Sequence, residues 1–238
     1  MIRVFSDFDG TIALEDVGSQ IFRTFVGARA NEIVRQYLDG TIDARACLAQ
    51  ECEAVESVLL SELEQYIGQF RLDPTFGGFV EFCRHRDIPL VVLSDGLDIY
   101  VERLLRKNGF ADLPFFSNHL EFIQQGSVTR MVPSFPFTDA ECELCGNCKR
   151  NHLLTLSGDD DIIVYIGDGI SDRCPVRYAD IIFAKRRLIR YCQDQNITYH
   201  EFRNFGDVQQ KLAQILQRKH IRKRREAEMA RREIFAQG

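Results

Sequence analysis

Short apolar segments alternate with helical patterns along most of this chain, and this alternation constrains the possible folds more than any other feature. The apolar runs predict five strands, namely Ile2–Phe8, Ile88–Leu93, Asp161–Ile166, Ile181–Ala184 and Ile197–Phe202. The helical periodicity predicts helices at Thr75–Arg86, Asp98–Lys107, Arg150–Ser157, Asp172–Tyr178 and Lys185–Gln193. Strands that alternate with helices form a parallel sheet that helices cover on both faces. We therefore expect an α/β fold with a doubly wound, Rossmann-like parallel sheet.

Three segments do not follow this alternation. Residues 14–72 consist of consecutive amphipathic helical patterns, which predict an all-helical cap inserted into a core domain of residues 1–13 and 73–217. Residues 119–132 alternate polar and apolar side chains around Gly126, which predicts a hairpin. Residues 206–235 predict one long helix whose last part, in the basic tail 218–238, is too polar to be buried.

Composition and charge exclude several classes of protein. The chain has 238 residues, of which 45% are hydrophobic and 27% charged, so it is neither a low-complexity nor a disordered sequence. No apolar run approaches the ~18 residues of a membrane-spanning helix, and the amino terminus lacks a secretory signal, so we expect a cytoplasmic protein with no membrane partner. The net charge is −5, but the basic tail carries +5 and the rest of the chain −10. The acidic body argues against nucleic acid as a partner.

Acidic residues follow two of the strongest predicted strands. Asp7-Phe8-Asp9-Gly10-Thr11 ends the first, and Gly167-Asp168 followed by Asp172 ends another. Carboxyl ends of parallel strands meet at one edge of a sheet, so four carboxylates would converge there and would need a cation. Oxygen ligands at an open site suit Mg²⁺. A turn or helix cap could account for one of these aspartates, but not for the set.

Two further motifs offer groups that suit a phosphate ester. Ser94-Asp95-Gly96 ends a third strand with a hydroxyl group and a glycine that lets backbone amides approach an anion. Lys149, at the start of a helical pattern, adds a positive charge suited to phosphoryl oxygens. Taken alone, Ser-Asp-Gly is usually an ordinary turn, and a single lysine is usually a solvated surface group.

Taken in order, Asp7-x-Asp9-Gly10-Thr11, Ser94, Lys149 and Gly167-Asp168-x-x-x-Asp172 resemble the four motifs of the haloacid dehalogenase (HAD) superfamily of phosphatases. The resemblance covers residues 2–185, and the helical insertion resembles the C1-type cap of its phosphoserine-phosphatase-like subfamily IB. It implies a Mg²⁺-dependent phosphomonoesterase acting on a small phosphorylated metabolite.

The resemblance also implies a role for each motif residue. Asp7 would form an aspartyl-phosphate, and Asp9 would act as acid and then as base. Asp7, the backbone carbonyl of Asp9, and Asp168 would hold Mg²⁺, with Asp172 assisting. Lys149 would neutralise charge on the nucleophile and the phosphoryl group. The phosphate-binding residues would be Gly10, Thr11, Ser94, Asp95, Gly96 and Lys149.

The branch within the superfamily is suggested by Ser94-Asp95-Gly96-Leu97-Asp98 and by the Cys-Gly-Asn-Cys-Lys run that ends at Lys149. Both resemble the branch that contains the phosphatase acting on the methylthiopentenyl phosphate of methionine salvage. Phosphoserine, phosphoethanolamine and phosphocholine phosphatases are the alternatives, and a catalytically idle HAD-fold binding protein is a more distant one. In the cap, Glu15 and Arg45 are candidate substrate-binding residues, although a solvated arginine is an equal interpretation of Arg45.

A cysteine cluster precedes Lys149. Cys142, Cys145 and Cys148 have C-x₂-C-x₂-C spacing, and a helix would place His152 on the same face as Cys148. Three thiolates and one imidazole would suit a tetrahedral structural zinc, with Cys174 as an alternative fourth ligand. Three thiols in a loop without metal are the other interpretation.

Overall fold

The computed structural model describes residues 1–125, 128–139 and 145–237. Its strands are β1 (Ile2–Asp7), β2 (Leu90–Leu97), β3 (Phe115–Gln125), β4 (Val128–Ser134), β5 (Ile162–Gly167), β6 (Ile181–Ala184) and β7 (His200–Glu201). Its helices are α1 (Val17–Val26), α2 (Ala28–Leu38), α3 (Ala44–Glu53), α4 (Leu60–Ile67), α5 (Phe76–Arg84), α6 (Asp98–Lys107), α7 (Lys149–Thr155), α8 (Arg187–Asp194), α9 (Phe205–Leu216) and α10 (Arg225–Gln237). Within these residues, no helix has both the length and the apolar character that crossing a bilayer requires.

The chain divides into two compact units. Unit 1 comprises Met1–Ile12, Asp73–Leu93 and Lys149–Gly238, and unit 2 comprises Ala13–Leu72 and Ser94–Cys148. Division into a core domain, a cap of residues 14–72 and a tail of residues 218–238 stays a prediction.

Unit 1 is built on a parallel sheet with the strand order β2-β1-β5-β6-β7. Parallel strands that are buried on both faces consist of near-continuous apolar residues. Accordingly, Val4 and Phe5 in β1 and Val164 and Ile166 in β5 are fully buried. The predicted α/β class is confirmed. Since β2 lies on one side of β1 and β5 on the other, the order reverses at β1, and such a switch point is where ligands bind in open parallel sheets.

Two helices of unit 1 pack through aromatic rings. The Phe205 ring of α9 lies 4.9 Å from the Phe76 ring and 5.3 Å from the Phe79 ring of α5, measured between centroids. Buried Asp73 accepts hydrogen bonds from the backbone N–H groups of Thr75 and Phe205, so it links the beginnings of both helices. These contacts hold α9 against α5.

Unit 2 contains the predicted helical segment and the predicted hairpin. Asp16 and Asp43 cap α1 and α3, because each carboxylate accepts a backbone N–H from the first helical turn. The Tyr66 ring of α4 packs edge-on against Phe25 and Phe70. β3 and β4 pair antiparallel, with Phe122 opposite Met131, which confirms the hairpin. The turn residues Gly126 and Ser127 lie outside the described residues.

Two predicted helices are wrong. Asp172–Tyr178 contains only a short helical turn at Pro175–Arg177, because the Asp172 carboxylate binds backbone N–H groups of the loop instead of starting a helix. The predicted helix 206–235 is interrupted between α9 and α10, where residues 217–224 form a linker. A continuous helix would place like charges four residues apart, Arg218 with Arg222 and Lys219 with Lys223, and their repulsion favours the break.

The carboxyl-terminal helix also docks on unit 1, so the prediction that it is too polar to be buried is wrong in part. Ala227 is fully buried, and the Arg231 guanidinium pairs with Asp180 at 3.0 Å, with side-chain exposures of 12% and 0%. The Arg224 guanidinium donates to the carbonyls of Val176 and Arg177. The tail therefore packs against the turn that follows Asp172.

Candidate active site

The first site segment is the turn that follows β1. Asp7 ends the strand and is only 4% exposed. The chain then reverses at Gly10, whose φ of +69° lies in the left-handed region that favours glycine. A Cβ atom at Gly10 would lie 2.5 Å from Oδ2 of Asp168. The glycine thus permits both the turn and the close approach of a second acidic residue.

The second segment follows β5 and is shaped by Asp172. Oδ2 of Asp172 accepts the backbone N–H groups of Asp168 at 2.8 Å and Gly169 at 2.9 Å. A Cβ atom at Gly167 would lie 2.5 Å from this same oxygen, so the glycine makes room for the carboxylate. Asp172 is fully buried and folds back beneath the loop that carries Asp168.

Lys149 joins the two segments. Its Nζ atom lies 2.6 Å from Oδ1 of Asp7, 2.8 Å from Oδ1 of Asp172 and 3.0 Å from Oγ of Ser171. The ammonium group is 2% exposed, and its two acidic partners are also buried. Tyr165 of β5 donates its hydroxyl to Oδ1 of Asp172 at 2.6 Å. The result is a hydrogen-bonded network that fixes the Asp7 and Asp172 carboxylates.

The electrostatics of this network show an excess of negative charge. Burial and the neighbouring Asp172 carboxylate raise the pKa of Asp7 well above its usual value, although Lys149 opposes the rise. Burial and Asp172 likewise raise the pKa of Asp168 to about 6, against the effect of Arg186. Burial would lower the pKa of Lys149, but Asp172 and Asp7 outweigh it and raise that pKa, so the ammonium stays charged. Lys149 alone therefore does not balance the carboxylates.

The donor set suits a hard divalent cation. One carboxylate oxygen from each of Asp7, Asp168 and Asp172 lies within 4.8 Å of the others. A cation among them would relieve the charge excess that raises the pKa of Asp7 and Asp168, and all-oxygen ligation is what Mg²⁺ prefers. Nearby, the buried Thr11 hydroxyl has no hydrogen-bond partner among the described residues, as expected for a group that binds a ligand or water.

Ser94, Asp95 and Gly96 lie in the last part of β2, which extends to Leu97 instead of ending before Ser94. The buried Ser94 hydroxyl accepts the backbone N–H of Gly96 at 3.0 Å. Asn147 holds this part of the strand, because its side-chain amide donates to the Ser94 carbonyl at 2.8 Å and its backbone N–H donates to Oδ1 of Asp95 at 2.7 Å. The segment around Cys148 thus supports the end of β2 through Asn147.

The zinc hypothesis gains no support. Cys142 lies outside the described residues. In the part of the chain that is described, the three aspartates are the only group of three or more ligand-type side chains close enough to share a metal, so Cys145, Cys148 and His152 form no such group. Burial lowers the pKa of His152 to about 4, as for an ordinary buried imidazole.

The two candidate substrate-binding residues of the predicted cap, Glu15 and Arg45, lie next to residues that cap helices. Nη2 of Arg45 lies 3.5 Å from Oδ2 of Asp43, the residue that caps its own helix, and Glu15 is exposed next to the α1 cap residue Asp16. Substrate binding by Glu15 and Arg45 stays a prediction.

Several residues of the network were not identified from the sequence. Tyr165 and Ser171 bind the Asp172–Lys149 pair, Arg186 pairs with Asp168 at 3.1 Å, and Asn147 holds Ser94 at the end of β2. Tyr165 carried a signal, because a hydroxyl two residues before Gly167 in an otherwise aliphatic strand is unusual. Nothing in the local sequence marks Arg186 as a partner of Asp168, and only the structure shows its φ of +52°.

Comparisons with known proteins agree with this geometry. A family model for haloacid dehalogenase-like hydrolases matches residues 4–175. The 2-hydroxy-3-keto-5-methylthiopentenyl-1-phosphate phosphatase of Bacillus cereus is 30% identical over 219 residues, which cover 91% of this chain and 98% of the relative. Polyol phosphate phosphatase PYP1 of Saccharomyces cerevisiae is 27% identical over 225 residues, which cover 90% and 93%. A solved phosphoserine phosphatase with a phospho-aspartyl intermediate analogue shares the fold, with a TM-score of 0.67, 16% identity and coverage of 89% of this chain and 99% of that one.

The chain therefore belongs to the haloacid dehalogenase-like hydrolase family, and the resemblance stated from its motifs is confirmed. It is a phosphatase, since relatives that align over about nine-tenths of its length are phosphatases and the acidic cluster of the family is present.

Proposed function

We propose that this protein hydrolyses a small phosphate monoester through an aspartyl-phosphate on Asp7, with Mg²⁺ as cofactor. The buried Asp7–Lys149–Asp172 network, with Asp168 within 4.8 Å, is the observation that carries the proposal. It fixes a carboxylate at the carboxyl end of β1 next to a positive charge. Phosphoryl transfer needs mainly positioning and charge stabilisation, and this network offers both.

The first step is attack by a carboxylate oxygen of Asp7 on phosphorus. The bond between phosphorus and the ester oxygen breaks, and the Asp9 carboxylic acid donates its proton to the leaving alkoxide. Lys149 orients Asp7 through Oδ1 and offsets negative charge as the new bond forms. Asp9 lies on the turn that Gly10 allows, two residues beyond the nucleophile.

The second step regenerates the enzyme. The Asp9 carboxylate, now ionised, accepts a proton from a water molecule that attacks the phosphorus atom of the aspartyl-phosphate. The acyl–phosphate bond breaks, and inorganic phosphate and the Asp7 carboxylate are released. The Thr11 hydroxyl, buried and without a partner in the described part of the chain, and the Ser94 hydroxyl, together with Gly10, Asp95 and Gly96, are assigned to phosphoryl binding.

Asp7, Asp168 and the backbone carbonyl of Asp9 would hold Mg²⁺, with Asp172 assisting. When bound, the ion supplies positive charge against the phosphoryl oxygens. The charge excess of the carboxylates supports this assignment.

For the substrate, we propose the methylthiopentenyl phosphate of methionine salvage. The 30% identity to the Bacillus cereus phosphatase over nearly the whole of both chains supports it. Polyol phosphates are the second candidate, because the similar yeast protein is named for them. Arg45 is assigned to the leaving-group side, and a cytoplasmic location is part of the same proposal.

The test is phosphate release from a panel of phosphate esters with Mg²⁺ or with EDTA. The panel contains the enzymatically generated methylthiopentenyl phosphate, a polyol phosphate, phosphoserine, phosphoethanolamine, phosphocholine and an aryl phosphate. Asp7→Asn and Asp9→Asn should each reduce kcat at least ~10²-fold, whereas the exposed Asp194→Asn should act like wild type. Wild-type turnover by Asp7→Asn would overturn the mechanism, and preference for another ester would overturn only the substrate. If Arg45→Ala leaves KM for the preferred ester unchanged, its assignment fails.

A further inference from the structure

The turn between β6 and α8 contacts both loops of the acidic network within unit 1. Lys185 and Arg186 form this turn, directly after the carboxyl end of β6. Nζ of Lys185 donates to the carbonyl of Thr11, in the loop after β1, at 3.4 Å. Nη1 of Arg186 donates to Oδ2 of Asp168, in the loop after β5, at 3.1 Å. Neither side chain has a role in the two reaction steps, so the purpose of these contacts needs its own explanation.

The backbone of Arg186 has a conformation that its residue type disfavours. Its φ of +52° and ψ of −127° are close to those of the first central position of a type II′ turn, where glycine is preferred. A side chain at this position costs free energy of folding that a glycine would not. Strained residues of this kind are concentrated at functional sites, where the surrounding contacts hold them in place. The strain therefore points to a role for the Arg186 side chain.

The contacts of Asp168 show what this side chain controls. The backbone of Asp168 is held on both sides, because its N–H donates to Oδ2 of Asp172 at 2.8 Å and its carbonyl accepts the N–H of Leu188 at 2.9 Å. The freedom that remains is rotation of its side chain. Within residues 1–125, 128–139 and 145–237, Arg186 is the side chain that donates a hydrogen bond to the Asp168 carboxylate. The guanidinium therefore fixes the direction in which this carboxylate points.

The guanidinium and the carboxylate lie against the same point of the loop after β1. A Cβ atom at Gly10 would lie 2.6 Å from Nη1 of Arg186 and 2.5 Å from Oδ2 of Asp168. The Arg186 side chain is 52% exposed, whereas that of Asp168 is 14% exposed. Solvent screens a half-exposed charge, so the repulsion between this guanidinium and a nearby cation is weak. The main effect of Arg186 is thus on the orientation of Asp168.

We propose that Arg186 is a positioning residue that orients the Asp168 carboxylate as a ligand of Mg²⁺. Hydrogen-bonded partners of metal-ligating side chains orient the ligand, and their loss typically lowers metal affinity about 10–100-fold. The inference rests on the Mg²⁺ site of the proposed function, in which Asp7 and Asp168 are ligands. Arg186 acts through Asp168 and does not contact the phosphate ester. The strained backbone at residue 186 aims the guanidinium at this carboxylate.

The test compares Mg²⁺ affinity with stability in two variants. Arg186→Met removes the guanidinium and keeps the strained backbone, whereas Arg186→Gly removes the guanidinium and relieves the strain. Calorimetric titration with Mg²⁺, after treatment with EDTA and its removal, should show an affinity about 10–100-fold lower in both variants. The thermal midpoint in EDTA should stay close to that of wild type for Arg186→Met, because an exposed ion pair contributes little. It should rise by about 2–4 °C for Arg186→Gly.

Turnover gives a second measurement, because a residue that acts through the metal shifts the Mg²⁺ requirement and leaves the chemical step unchanged. With an aryl phosphate, the Mg²⁺ concentration for half-maximal phosphate release should rise about 10–100-fold for Arg186→Met. At saturating Mg²⁺ the kcat of this variant should return close to that of wild type. Arg187→Met is the matched control, since it removes the same charge from the next residue, which is also exposed. It should bind Mg²⁺ as wild type does.

The outcomes separate this assignment from the proposed function. Unchanged or tighter Mg²⁺ binding by Arg186→Met, or equal weakening by Arg187→Met, would overturn the role of Arg186 and leave the phosphatase mechanism standing. A lower kcat that saturating Mg²⁺ does not restore, or a lower thermal midpoint in both Arg186 variants, would also overturn it. If wild type bound no Mg²⁺, the metal site of the proposed function would fail, and this inference with it.

Discussion

Lys149→Met is the substitution that most directly tests how the acidic network is held together. Methionine keeps an unbranched side chain of similar length but removes the ammonium group that lies 2.6 Å from Asp7 and 2.8 Å from Asp172. Removing one partner of a buried ion pair costs about 3–5 kcal/mol, because the other charge stays buried without compensation. We expect the free energy of unfolding at pH 7 without Mg²⁺ to fall by this amount, and kcat to fall at least ~10²-fold.

The stability difference between wild type and Lys149→Met should also depend on pH. Without the ammonium, the buried carboxylates of Asp7 and Asp172 are more easily protonated, and protonation removes the uncompensated charge. The stability difference between wild type and Lys149→Met should therefore be largest near pH 7 and shrink toward pH 5. Added Mg²⁺ should restore part of the lost stability.

Urea unfolding at pH 7 and pH 5, with EDTA or Mg²⁺, measures these differences by linear extrapolation. The exposed Lys219→Met serves as the control and should change stability by less than about 0.5 kcal/mol. A loss below about 1 kcal/mol for Lys149→Met, equal at both pH values, would refute the idea that the ammonium balances the buried carboxylates.

Three further predictions concern other buried groups. Burial and the nearby Asp16 raise the pKa of Glu51, which is 7% exposed, from its usual 4.5 to about 8. The protonated side chain therefore contributes fully to the free energy of unfolding below pH 4.5, and this contribution, on the order of 3–5 kcal/mol, is lost as the pH rises through 8. Urea unfolding of Glu51→Gln from pH 5 to 9 should show no such decrease, and a profile parallel to that of wild type would contradict this. Asp180→Asn should lower the free energy of unfolding by about 3 kcal/mol, because it breaks the buried ion pair under α10, and a loss under about 1 kcal/mol would show that the helix docks without it. Gly10→Ala should lower kcat at least ~10²-fold, since the added Cβ would lie 2.5 Å from a carboxylate oxygen of Asp168. Urea unfolding of this variant should still show a cooperative transition. Near-normal turnover would mean that the loop after β1 shifts freely.

The strand and helix patterns were enough to predict the parallel sheet and the two acidic strand ends. Asp7 and Asp168 stand at the ends of apolar runs that predict buried strands, and parallel strands present their carboxyl ends at one edge. The consecutive helices of residues 14–72 and the β3–β4 hairpin were also predicted, because α1, α2 and α4 are clearly amphipathic and the hairpin strands alternate polar and apolar residues. In these elements, local sequence and tertiary packing favour the same conformation.

Other features depended on partners far apart in the chain. Lys149 and Asp7 are separated by 142 positions, and their hydrogen bond depends on where α7 and β1 lie in the folded unit. No local pattern distinguishes this lysine from a solvated one, although its place in the motif order does.

The basic tail also packs in a way that its local sequence does not predict. Its sequence is typical of a solvated helix, but Asp180 offers a buried carboxylate that Arg231 and the backbone of Arg224 can bind, so part of the tail is buried and the helix is interrupted before it. The sequence by itself determined the period of each element and the chemistry at the strand ends, because those depend on neighbouring residues. Only the tertiary structure decided which charges are paired and buried, because the free energy of a charge depends on the groups that surround it in space.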